Sequence, residues 1–176
     1  IICAYGTTKI IIDTNIAEMF KQGHPITAAV EIVDQNMSGV QNMEIMIDTK
    51  ESDGMLDSQL LTAIDNLQER ILSRYPDIIG KTNSLANIVK NTNRTMNDDN
   101  SDYYKIPESN QAISQLLFMF NSANPEDRRN LVSDDYSRSH ITVTVKNLGS
   151  YEYKNLFNDI SVDVKNTFAE VKTNFP

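Results

Sequence analysis

Asp98, Asn100 and Asp102 are the side chains of this 176-residue chain whose types and spacing come nearest to a reactive or metal-binding pattern. Oxygen donors at every second residue of a loop can converge on one cation, and a calcium loop begins in this way. The later positions depart from that pattern. Tyr103 stands where the loop needs a glycine for its turn, and Ser109 stands where it needs a bidentate glutamate. A solvated acidic loop is therefore expected, with no metal ligand assigned.

His24 and His140 are the only histidines, and neither has a companion at helical ligand spacing. A zinc site would need two further ligands beside them. His24, next to Pro25, reads as a turn or capping residue, and His140 as a strand-edge residue. Asp134-Asp135 offers two carboxylates for acid–base work, yet neighbours near a strand point to different sides, so solvated charge is expected. The six glycines are dispersed and build no phosphate-cradling loop, and no nucleophile elbow is present. The expectation is a protein that is not an enzyme, with no catalytic residue and no cofactor.

Seven methionines and the run Leu116 to Phe120 could line an adaptable apolar pocket, although stripes at helical spacing are ordinarily core. Asn36-Met-Ser and Asn93-Arg-Thr are glycosylation sequons in form. With 24 acidic and 16 basic residues the net charge is −8, and Arg128-Arg129 is the longest basic run. Nucleic acid and anionic membrane surfaces are disfavoured as partners on this ground. Cys3 is the only cysteine, so no internal disulfide can form. No stretch of 18 apolar residues is present to span a bilayer, and a soluble segment is expected. The opening Ile1 to Gly6 lacks an initiator Met and is too short for a signal segment, which suggests an excised piece.

The elements that must position these residues follow from periodicity. Lys9 to Asp13 is a β-branched run suited to a strand. Ile26, Ala29, Val30, Val33 and Met37 share a helical face, and Met43, Ile45 and Ile47 share one face of a strand. Leu60, Ile64, Leu67 and Ile71 predict a helix that starts at Asp57 or Ser58 and ends at Tyr75-Pro76. A short strand follows at 77–83, then a helix capped by Ser84. Pro107-Glu108 predicts the first turn of the helix carrying Ile113, Leu116, Leu117 and Phe120, and Pro125 opens a short one reaching Leu131. Ile141-Thr-Val-Thr-Val is the clearest strand. From Gly149-Ser150 a long helix carries Tyr153, Leu156, Phe157, Ile160, Val164, Phe168, Val171 and Phe175 on one stripe, which must lie on the sheet. The order predicts an α+β fold, a small mixed β-sheet of four strands with helices packed on one face.

Several of these blocks together resemble a known family. Lys9-Ile-Ile-Ile-Asp-Thr-Asn, the His-Pro at the end of 20–25, Val33-Asp-Gln-Asn-Met-Ser-Gly-Val and Met43-Glu-Ile-Met-Ile-Asp are the first of them. Tyr104-Lys-Ile-Pro with Gln111 to Leu117, and Leu131-Val-Ser-Asp-Asp-Tyr-Ser followed by Ile141-Thr-Val-Thr-Val, complete the set. In this order they resemble the first extracytoplasmic loop of resistance-nodulation-division (RND) exporters, on the branch near the MmpL-like lipid transporters.

The resemblance implies one ferredoxin-like porter subdomain over 1–176: a βαβαβ part at 1–83, a helical insertion at 84–131, and a strand plus long helix at 132–176. It implies a segment of a membrane protein on the extracytoplasmic side, taking part in proton-driven export of hydrophobic or amphiphilic molecules or lipid. Its partners would be the transporter's own transmembrane helices and second extracytoplasmic loop, and the proton-relay residues would lie in those helices. In the family one more strand follows the long helix, so a missing strand, an exposed sheet edge and self-association through that edge are expected. The other reading is a free-standing extracytoplasmic module that binds a ligand or a protein.

Overall fold

Ile141, Val143 and Val145 need burial on one side while Thr142 and Thr144 face the other, and this alternation forms the middle strand of the sheet. The computed structural model describes residues 24–123 and 125–171. In it β3 (Arg138–Val145) lies between β1 (Gln41–Asp48) and β2 (Ile79–Asn83) and runs antiparallel to both. Met43 sits opposite Val143 and Ile45 opposite Ile141 on the inner face; Asn42 faces Thr144, Glu44 faces Thr142 and Met46 faces His140 on the outer.

Six helices accompany the sheet among the described residues: α1 (Pro25–Asn36), α2 (Ser58–Arg74), α3 (Leu85–Met96), α4 (Asn110–Ala123), α5 (Pro125–Arg129) and α6 (Ser150–Glu170). The α+β class expected from the sequence is the class observed. The described sheet is antiparallel throughout rather than mixed, because β3 enters between two strands that both run against it. It has three strands; the expected strand at 9–13 and the end of the long helix at Phe175 lie outside the described residues.

Local chemistry sets the helix limits. The Asp57 carboxylate accepts from the Leu60 N–H at 2.8 Å and starts α2, while Tyr75-Pro76 ends it. Its stripe of Leu60, Leu61, Ile64, Leu67 and Ile71 is buried against the sheet's inner face. The Ser84 hydroxyl receives the Ala86 N–H and donates to Gln68 Oε1 at 2.7 Å; Gln68 Nε2 in turn donates to Asn87 Oδ1 at 2.8 Å. Gln68 and Ser84 are both buried, so this satisfied network fixes how α3 sits on α2.

Two helices differ from expectation. Pro107 does not open α4, because the segment before the helix is held elsewhere: Ser58 Oγ donates to the Pro107 carbonyl at 2.7 Å. Asn110 begins the helix instead, and the Ser109 hydroxyl accepts from the Ala112 N–H. In α6 the expected stripe is wider than the face that meets the core. Leu156 and Ile160 are buried, whereas Phe157, about 100° round the helix, is 52% exposed. The seam between α6 and α2 is polar: Arg74 pairs with Asp163 at 2.7 Å, Tyr75 Oη donates to Asp159 at 3.0 Å, and Arg70 reaches Thr167 at 3.3 Å.

The path β1-α2-β2, with β3 inserted between those two strands and α6 after it, is a split β-α-β unit. Strand order and directions match three strands of a ferredoxin-like sheet. α3, α4 and α5 intervene between β2 and β3, where a helical insertion was expected. Among the described residues no strand covers the outer edge of β1.

Candidate binding surfaces

The residues that opened the sequence reading are not assembled into a reactive centre. Asn100 Oδ1 accepts from the Asp102 N–H at 2.9 Å, and Asp99 faces Arg94 at 3.7 Å. Among the described residues no group of three or more His, Cys, Asp or Glu is placed to hold a metal ion. His24 is the N-cap of α1, its Nδ1 accepting from the Ile26 N–H at 3.2 Å. His140 is corrected from strand edge to central strand, since β3 is flanked on both sides; its Nε2 lies 3.7 Å from Glu44. Of the sequons, Asn93 is half-buried in α3 and donates to the Lys105 carbonyl, while Asn36 is exposed at the end of α1.

Asp134 and Asp135 go separate ways. Asp134 pairs with Arg128, which also stacks on Tyr136. Asp135 accepts from the hydroxyls of Ser133 at 2.7 Å and Ser137 at 2.8 Å and from the Ser137 N–H at 3.1 Å. Those bonds, that from Ser133 foremost, hold its carboxyl down to about 2. A carboxyl depressed on folding contributes stability above its ordinary value near 4, and that contribution is lost as pH falls towards about 2. The urea midpoint is accordingly expected to fall over that window, and to fall less in Asp135→Asn. Equal falls in the two proteins would contradict this role for the loop.

The Tyr104-Lys-Ile-Pro block acts through packing. Lys90 is buried and pairs with Asp65 at 2.5 Å, and the Tyr104 ring lies 4.7 Å from Lys90 Nζ and 5.6 Å from the Arg94 guanidinium. Removing one member of a buried pair strands the other charge. Asp65→Ala is expected to lower unfolding free energy by about 2 kcal/mol, and Lys90→Met by less, as read from urea titration. The opposite ranking would show that the pair is not held through desolvation.

Three larger grooves among the described residues bear on binding, beside one of about 180 Å³ at Arg129, Arg138 and His140. One of about 430 Å³ lies between α3 and α4, lined by Ile88, Met96, Met119 and Phe120 and by no charged group. The Leu116 to Phe120 run thus divides: Leu116 and Leu117 are core, Met119 and Phe120 line this groove, and Phe118 is 71% exposed. A second, of about 220 Å³, runs along the open edge of β1, between Met43 and Ile45 on the strand and Phe157, Ile160 and Val164 on α6.

The third, of about 500 Å³, lies between α1 and the outer face of the sheet, with Val33 and Met37 on one side and Asn42, Lys81, Asn83 and Thr144 on the other. On this outer face Thr142 Oγ1 donates to the Glu44 carboxylate at 2.9 Å and Thr144 Oγ1 to Asn42 Oδ1 at 3.0 Å. Lys81 and Asn83 were not singled out from sequence, although their alternation with Thr82 is the signal that puts them on one face of a strand.

Fold and grooves together give a small α+β unit with a three-stranded antiparallel sheet and several surface concavities among the described residues. Comparison with family models, with curated proteins and with solved structures finds no match to this chain.

Proposed function

We propose that this chain is an extracytoplasmic porter domain of an RND-type membrane exporter, contributing to the capture or passage of hydrophobic or amphiphilic molecules in proton-driven transport. The observation that carries this reading is that, among the described residues, no strand stands beside the outer edge of β1. Three strands stand in ferredoxin-like order, the next position is open among the described residues, and an apolar groove with the half-exposed Phe157 runs along it. An unpaired edge over such a groove is a template for one more strand. In a porter that strand comes from the rest of the transporter, whose transmembrane helices and second loop are its partners. The order of the sequence blocks supports the same reading. The relay of protons belongs to the transmembrane helices, and this domain performs no covalent chemistry.

A second reading, a free-standing extracytoplasmic binding module, is favoured by the polar outer face of the sheet beside the α1 groove. Transport by the parent protein separates the two. Cells carrying it are expected to expel a lipophilic dye while the proton gradient stands, and to lose that activity when residues 24–171 are deleted. A parent protein found apart from any membrane would overturn the porter reading. So would turnover of an ester, peptide or phosphate substrate by the purified chain, abolished by a point change.

A further inference from the structure

We propose that the groove between α1 and the outer sheet face binds an amphiphile with a single anionic headgroup, the head at Lys81 and Asn83 and the apolar chain along Val33 and Met37. This deepens the porter reading by naming a cargo class and the residues that meet it.

The groove is built by a tight turn. Ser38-Gly39, at the end of α1, packs so closely on the sheet that a Cβ at Gly39 would lie 2.4 Å from the Val145 carbonyl oxygen, and one at Gly80 1.9 Å from that of Ser38. Asp34 Oδ1 accepts from the Asn147 N–H at 2.6 Å and ties the helix to the end of β3. α1 is thereby fixed beside the outer face.

The register then sets out the polar groups. Lys81, Thr144 and Asn42 are successive neighbours across β2, β3 and β1, and Asn83, Thr142 and Glu44 form the next row. Lys81 and Asn83 share a strand face and stand roughly 7 Å apart along it, a span that one oxyanion can bridge with a bond to each. Thr144 spends its hydroxyl proton on Asn42 Oδ1, which leaves the Asn42 amide N–H groups as further donors.

Charge selects the headgroup. Among the described residues Lys81 is the only charged residue lining the groove, and no carboxylate pairs with its ammonium. On the elements that build the groove, the Glu44 carboxylate accepts from the Thr142 hydroxyl and the Asp34 carboxylate from the Asn147 N–H. A free ammonium beside amide donors favours an anion over a cation, even though the chain as a whole carries −8. Met37 is 65% exposed along the apolar side, and Val33 is half-buried next to it. An unbranched thioether adapts to chains of varied shape. The volume lies within the range of small-molecule sites.

The test uses the 176-residue chain, isotope-labelled and titrated with decanoate, decanol and decyltrimethylammonium below their micelle-forming concentrations. Decanoate is expected to bind about tenfold more tightly than the other two, moving the amide signals of Val33, Met37, Lys81 and Asn83. Lys81→Met is expected to weaken decanoate about tenfold and leave decanol unchanged. Equal binding of the three probes, an unaffected Lys81→Met, or largest shifts at Met96 and Met119 of the α3–α4 groove would overturn the assignment. Decanoate binding in a protein that expels no dye would retire the porter reading and leave this site standing. Dye export by a parent whose isolated domain ignores decanoate would retire the site alone.

Discussion

Gly80→Ala is expected to destabilise the fold by about 3 kcal/mol and to release α1 from the sheet. Gly80 interrupts the pairing of β2 with β3, where the register shifts between Ile79 and Lys81. A Cβ there would meet three atoms of Ser38 at once: the carbonyl oxygen at 1.9 Å, the Cβ at 2.4 Å and the carbonyl carbon at 2.5 Å. Two of these are backbone, so rotation of a side chain cannot relieve the contact. Nor can the turn retreat freely, because Gly39 holds φ at +126° with its α-carbon close over Val145. Urea unfolding gives the free energy. Decanoate affinity, read on the folded protein in the absence of urea, should fall with it, since the groove loses its α1 side. A loss below about 0.5 kcal/mol with binding unchanged would contradict this account of the turn.

Leu67→Ala carries the largest expected cost, about 3–4 kcal/mol. Leu67 is fully buried in the middle of α2, within the core that also holds Ile64, Ile71, Ile141 and Val143. Truncation there removes buried methyl groups from a well-packed interior and leaves a cavity that helix and sheet cannot collapse to fill. Against a total stability of about 5–15 kcal/mol for a domain, that is a large share. Phe118→Ala is the matching control: its ring is 71% exposed, and the change should lie within about 0.5 kcal/mol of wild type. Equal costs for the two would mean that α4 packs with its other face inward.

Much of the secondary structure was legible because its causes are local. α2 is announced by a capping acid, a stripe at helical spacing and a Tyr-Pro stop; α3 by Ser84; β3 by strict alternation. The position of β3 between β1 and β2 was not legible, since alternation reports which face is buried and not which strand lies beside it. His140 was therefore placed at an edge. Phe157 was assigned to the core because a stripe in sequence does not give the width of the surface it meets. The start of α4 moved past Pro107 because Ser58, far away in the chain, holds that carbonyl.

The binding surfaces were the least legible part. Lys81 and Asn83 gain their neighbours only through the register with β3, and Val33 and Met37 reach them only because two glycines let a turn press on the sheet. The Lys90–Asp65 pair likewise joins two helix faces 25 residues apart. Such sites depend on tertiary placement, which no short motif encodes.

The most direct test of the porter reading is the parent reading frame on either side of Ile1 and Pro176, scanned for apolar runs of about 20 residues. The reading expects one such run directly upstream, and a strand-like segment followed by several runs downstream. Polar flanks on both sides, or a stop codon soon after Pro176, would contradict it and leave the free-standing binding module in its place.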